Sequence, residues 1–122
     1  MPGLAGDGVP YSHVVMDDRY AFVAGVVACD VPGGAAVHGD IAAETRIVMT
    51  AIRDALGRVG LGLERIVRVD VHMTDLSRMA ELNAAYVPFF PLGALPTRTC
   101  TESARLAGGS NVEITVMARL RS

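Results

Sequence analysis

Along Ile66 to Met73 apolar and polar residues alternate from Val67 onward. Val67, Val69, Val71 and Met73 take one set of alternate positions, and Arg68, Asp70 and His72 take the other. A period of two is the signature of a β-strand, whose successive side chains leave opposite faces of the sheet. Whatever this chain folds into must therefore contain a sheet with one face sealed against apolar cover. The other face of that strand carries a guanidinium, a carboxylate and an imidazole, too polar for the core of a monomer. A sheet whose second face pairs into an oligomer accommodates it.

The cover is written as two helices. Asp40 is placed to cap a helix from Ile41 to about Val59, in which Val48, Ile52, Leu56 and Val59 recur at helical spacing. Glu44, Arg46, Arg53, Asp54 and Arg58 fall largely off that stripe, and Gly60 ends the helix. A second helix opens at Asp75 or Ser77, runs through Ala80, Leu82, Ala85 and Tyr86, and stops near Pro88 or Pro91. Ahead of them, Ser12 to Met16 and the apolar run Tyr20 to Cys29 flank the turn Met16-Asp17-Asp18-Arg19 and read as a hairpin. Gly25 inside that run marks a bulge or a close backbone approach. Thr97 to Cys100 and Asn111 to Val116 read as two further strands joined through the turn Ala107-Gly108-Gly109-Ser110. The order β-β-α-β-α-β-β describes an α+β sandwich with both helices on one face of the sheet. Residues 1–122 read as one domain, with residues 1–9 loose.

Composition narrows the function. Eleven basic residues against thirteen acidic ones give a net charge of −2 without charge runs, which argues against a nucleic-acid footprint and a polybasic membrane anchor. The longest apolar stretch, Ala21 to Cys29, is too short to span a bilayer, and the N-terminal residues do not read as a signal peptide. Cys29 and Cys100 do not make a disulfide framework and read as small buried hydrophobes in a reducing, cytoplasmic setting. His13, His38 and His72 lie far apart with no ligand spacing, so no metal is expected. The Gly-x-Ser-x-Gly elbow is absent, and Gly33-Gly34 and Gly108-Gly109 lack the features of a phosphate cradle.

Arg98 and Glu113 are left as the pair with chemical promise. If the Gly-rich turn folds the last two strands together, Arg98, Cys100 and Glu113 share a sheet face. A fork donor near a carboxylate suits a small anionic substrate held beside a positioned water. On spacing alone an ordinary cross-strand ion pair is the commoner outcome. Cys100 reads as a structural or pocket thiol rather than a nucleophile, because no histidine is placed to activate it. Tyr11 and Asn83 are polar residues in apolar or turn-like surroundings. Asparagine is a poor helix-interior residue, and its plain explanation is a solvent-facing position.

Taken in order, these pieces resemble the Rid (YjgF-type) family of reactive-intermediate, or 2-imino acid, deaminases. The resemblance rests on Pro10-Tyr11-Ser12, Val23-Ala24-Gly25, Ile66 to Leu76, Leu82-Asn83-Ala84-Ala85-Tyr86-Val87-Pro88-Phe89-Phe90, Pro96-Thr97-Arg98-Thr99-Cys100 and Val112-Glu113-Ile114. It runs from about Tyr11 to Ala118, and its specificity lies in the ordered set. It implies a chorismate-mutase-like fold assembled as a homotrimer, with ligand clefts between subunits and Arg68, Asp70 and His72 facing the inside of the trimer barrel. It further implies that Arg98 forks a substrate carboxylate and that Glu113 orients water for attack on the C=N carbon. Tyr11, Asn83, Cys100, Ala24 and Gly25 would line the cleft. The products would be a 2-oxo acid and ammonia, formed without a cofactor. The expected partner is a small carboxylate metabolite, with neither nucleic acid nor membrane involved.

Three positions depart from the family pattern. Ala24-Gly25-Val26 stands where the archetype has Ser-Gly-Gln, Thr115 replaces a second acidic residue two after Glu113, and Val9 replaces a glycine. The anion-binding arginine is kept while part of the polar lining has turned apolar. Two alternatives to the deaminase follow: a trimeric carboxylate-binding protein without turnover, and a pathway enzyme acting on a larger substrate in a pocket widened at Ala24 and Val26.

Overall fold

The computed structural model describes residues 9–91 and 93–121. Its strands are β1 (Val14–Met16), β2 (Tyr20–Val27), β3 (Ile66–Met73), β4 (Thr97–Glu102) and β5 (Val112–Arg119), and its helices are α1 (Ile41–Arg58) and α2 (Met79–Tyr86). The α+β order expected from the sequence is the order observed, with two helices on a mixed sheet. Strand order in the sheet is β1-β2-β5-β3-β4. All neighbours are antiparallel except β3 and β4, which run parallel and are joined through α2. The N-terminal segment expected to be loose lies, Val9 apart, outside the described residues.

Local chemistry explains where the elements begin and end. The Asp17 carboxylate accepts hydrogen bonds from the backbone N–H groups of Arg19 and Tyr20, both at 2.7 Å, and so closes the hairpin turn. Asp40 caps α1 by accepting from the Ala43 N–H at 3.0 Å, and Gly60, at φ 80°, supplies the left-handed residue that ends it. Asp75 accepts from the Ser77 N–H and hydroxyl, but the turn it organises is a 3-10 turn over Leu76–Arg78, and α2 proper begins at Met79.

The core lies between the sheet and the helices. Val69, Val71 and Met73 of β3, with Ile114, Val116 and Ala118 of β5, meet Val48, Met49, Ile52 and Leu56 of α1 and Leu82 and Tyr86 of α2. Each Leu, Ile or Met side chain fully buried here contributes about 1.5–3 kcal/mol.

Four sequence expectations are corrected. Strand β2 stops at Val27, and Cys29 sits in a 3-10 turn. A register shift between Ile66 and Arg68 puts Ile66, not Val67, into the core. The last strand runs on to Arg119. Glu44, one turn before Val48, is on the buried stripe: it is fully buried, and its carboxylate accepts from Gly39 N (2.8 Å), Asn111 N (2.9 Å) and Asn111 Nδ2 (2.9 Å). Three donors make that burial tolerable and clasp the start of α1 to the start of β5.

The uncovered face of the sheet is mixed. Val15 and Phe22 (42% exposed) lie towards one edge, and Arg68, Asp70, His72 and Thr101 towards the other. Arg68 Nε donates to Asp70 Oδ2 at 3.1 Å, and His72 Nδ1 and Thr101 Oγ1 are hydrogen-bonded at 2.7 Å.

Candidate functional site

Register decides which side chains can meet. In the parallel pair, Arg98 stands beside Val69 and Cys100 beside Val71, so both leave the helix side of the sheet. Glu113 stands beside His72, on the uncovered side. Strand β3 also separates β4 from β5. The expectation that Arg98, Cys100 and Glu113 share one face fails, and so does the cross-strand ion pair. A shared face needs the last two strands to pair as an antiparallel hairpin, whereas β4 pairs in parallel with β3 at the edge of the sheet.

Arg98 rests on α2. Its guanidinium carbon lies 4.9 Å from the centre of the Tyr86 ring, and Nη2 donates to Met79 Sδ at 3.9 Å. Among the described residues it has no ion pair. Asn83 and Tyr86 lie one turn apart on α2, and the Asn83 Oδ1 and Tyr86 hydroxyl are both buried without a hydrogen-bond partner among the described residues. Burial pushes the Cys100 thiol up from its ordinary value, with the nearby Arg98 charge opposing the shift. Asn83 is thus not the solvent-facing helix residue of the plain reading. Tyr86 was passed over in the sequence, although its place one helical turn after Asn83 was the available signal.

The second group lies about the bulge of β2. Register slips between Val23 and Val26, so the chain shows both features that Gly25 suggested. A Cβ on Gly25 would come within 3.0 Å of Glu113 Cδ and 3.2 Å of Thr115 Oγ1, so the glycine admits the Glu113 carboxyl against the strand. Tyr11, Ala24 and Gly25 line one wall of a cavity of about 510 Å³, with Val26 beside them and Arg46 and Thr50 of α1 opposite. Tyr11 is 45% exposed, its ring edge-on to His13 at 5.5 Å. The candidate residues thus fall into two groups: Arg98, Cys100 and Asn83 about β4 and α2, and Tyr11, Ala24 and Gly25 about the bulge of β2, where Glu113 meets Gly25 from the uncovered face.

Among the described residues no three His, Cys, Asp or Glu side chains are grouped to hold a metal, and no helix is long and apolar enough to cross a membrane.

Residues 7–120 match the profile of the endoribonuclease L-PSP family. A RutC family protein of Pyrococcus horikoshii is 31% identical over 109 residues, 89% of this chain and 86% of its own. The 2-iminobutanoate/2-iminopropanoate deaminase of Mus musculus is 30% identical, over 89% of this chain and 80% of its own. Among solved structures, a Rid-family protein of Yersinia pestis superposes with a TM-score of 0.87 at 26% identity, covering 98% of this chain and 94% of that one. E. coli TdcF with bound serine gives 0.84 at 28% identity, covering 99% and 93%. With the sequence profile and the superpositions in agreement over almost the whole length, the chain belongs to the endoribonuclease L-PSP, or Rid (YjgF-type), family.

Proposed function

We propose that this protein hydrolyses 2-imino acids to 2-oxo acids and ammonia in clefts between the subunits of a homotrimer. The observation that carries the reading is Arg98: a guanidinium seated on a tyrosine ring, beside a neutral thiol, with no carboxylate among the described residues paired to it. Such a group is ready for an anion from outside, and a fork donor fits a carboxylate in two parallel hydrogen bonds. The deaminases among the relatives agree with it.

The chemistry asks little of the protein. With the substrate carboxylate on Arg98, the adjacent C=N carbon is already electrophilic. Glu113 accepts a proton from a water as the water oxygen bonds to that carbon, and the C=N π pair moves to nitrogen, which takes up a proton. The tetrahedral amino alcohol then collapses: its hydroxyl proton passes to the amino nitrogen, C=O forms and the C–N bond breaks, with nitrogen departing as ammonia. Substrate plus one water gives 2-oxo acid plus ammonia, with no redox change. Positioning and one proton-handling group suffice for so reactive a substrate. The apolar Ala24 and Val26, beside the bulge that meets Glu113, favour a second reading, a substrate larger than 2-iminopropanoate in the same cleft.

Because Arg98 and Glu113 leave opposite faces of one sheet, a shared cleft takes Arg98 from one copy and Glu113 from the next. The test is complementation. Arg98→Ala and Glu113→Ala are each expected to lose deamination of freshly generated imino acids. Refolded together in equal amounts, random cyclic trimers regain about a quarter of the wild-type sites, since one arrangement in four places an intact Arg98 beside an intact Glu113. A mixture that stays inactive although both variants fold and assemble would refute the shared cleft. Wild type and Arg98→Ala releasing 2-oxo acid equally fast would refute the deaminase.

A further inference from the structure

The anion-binding arginine needs something to hold it still, and in the described chain that is not a carboxylate. Its guanidinium lies over the face of Tyr86 at 4.9 Å, with Met79 sulfur accepting from one Nη. The ring beneath is itself fixed. Tyr86 is 3% exposed on the last turn of α2, and the Phe90 ring packs against it at 4.9 Å and a 48° tilt. A face that cannot turn offers its negative quadrupole in one direction only.

We propose that Tyr86 is the positioning residue for Arg98, its ring serving as the seat that aims the guanidinium fork at the incoming carboxylate. A carboxylate partner would have held the arginine as firmly but would have competed with the substrate for the same N–H groups. An aromatic face leaves the donors in the guanidinium plane free, so the side chain is ordered before the ligand arrives and less freedom is lost on binding. Burial raises the phenol to about 12, keeping it neutral where the protein works, so the ring never becomes a competing anion. The hydroxyl, buried without a partner among the described residues, adds nothing to this seat and is a cost to the fold.

The inference rests on the carboxylate-binding reading of Arg98, and the experiment separates the two. In ¹⁵N-labelled protein, with the Arg98 Nε–Hε signal assigned through Arg98→Lys, wild type is expected to show an upfield ring-current displacement. Tyr86→Phe keeps it, and Tyr86→Leu or Tyr86→Met loses it. Calorimetry with pyruvate as the probe then reads the consequence. Kd is expected to rise about tenfold in the Leu and Met variants and to stay within about twofold of wild type in Tyr86→Phe. For 2-iminopropanoate the loss falls on KM, with kcat unchanged, and Tyr86→Phe melts no lower than wild type. A Met or Leu variant that folds and binds pyruvate like wild type overturns the proposal. So does a Phe variant as weak as Leu, which would give the role to the hydroxyl. Wild type that binds no pyruvate refutes the anion site instead, and the Arg98 signal still decides whether Tyr86 seats the arginine.

Discussion

Gly25→Ala offers a direct test of how closely the Glu113 carboxyl must be held. A Cβ at position 25 would stand 3.0 Å from Glu113 Cδ, 3.3 Å from Cγ and 3.2 Å from Thr115 Oγ1, where ordinary contact begins at 3.4 Å. The carboxyl must therefore retreat by about 0.4 Å. If misplacing a reacting group by 1 Å costs about a hundredfold, a 0.4 Å retreat costs about sixfold. That corresponds to about 1 kcal/mol of transition-state stabilisation. The fold should hardly notice. Gly25 is not among the positive-φ glycines, so alanine fits the backbone and gains about 0.4–1 kcal/mol from a less flexible unfolded chain, which offsets the crowding. The assay is kcat/KM for 2-oxo acid release alongside a thermal melt at fixed protein concentration. Gly25→Val should lose more activity than Gly25→Ala. Full activity in Gly25→Ala, or a fall in activity matched by a general loss of stability, would refute the argument that Gly25 is there to admit Glu113.

Glu44→Gln places an amide N–H₂ where one of three backbone or side-chain donors now points, and is expected to cost about 2–3 kcal/mol in urea unfolding. A midpoint unchanged from wild type would show that the clasp contributes nothing. Cys100 should react sluggishly with iodoacetamide. Burial disfavours its thiolate, so the pH midpoint of alkylation lies above that of a free thiol, and Arg98→Ala, by removing the opposing positive charge, moves it higher still. A midpoint at or below that of free cysteine would contradict this. The complementation of Arg98→Ala by Glu113→Ala remains the test of assembly and mechanism together.

The elements were legible because each is driven by a local rule: the period of two in Ile66 to Met73, the stripe Val48-Ile52-Leu56, the cap at Asp40 and the stop at Gly60. The sheet order was not. Nothing in the alternation of Asn111 to Val116 says that this strand inserts between β2 and β3, so the facing of Arg98 and Glu113 could not be read from parity along the chain. Glu44 was misplaced for a related reason. A carboxylate reads as a solvated residue until its donors are known, and two of the three come from a residue 67 positions away. Arg98, Glu113, Tyr11 and Asn83 stood out by residue type and by family likeness, whereas Tyr86 was absorbed into the apolar reading of α2. Its contact with the guanidinium is a property of tertiary packing.

The position of β5 has a consequence for how the protein is made. Among the described residues β5, the last strand of the sheet in chain order, lies in its middle and alone links β2 to β3. While the chain is being synthesised, the two halves of the future sheet have no edge in common, and the apolar stripes of both helices have no finished surface to cover. Native-like structure must wait until residues beyond Val112 leave the ribosome. Until then Ala21, Val23, Val69 and Val71 are open to other chains, and the cell must keep this nascent polypeptide apart from its neighbours.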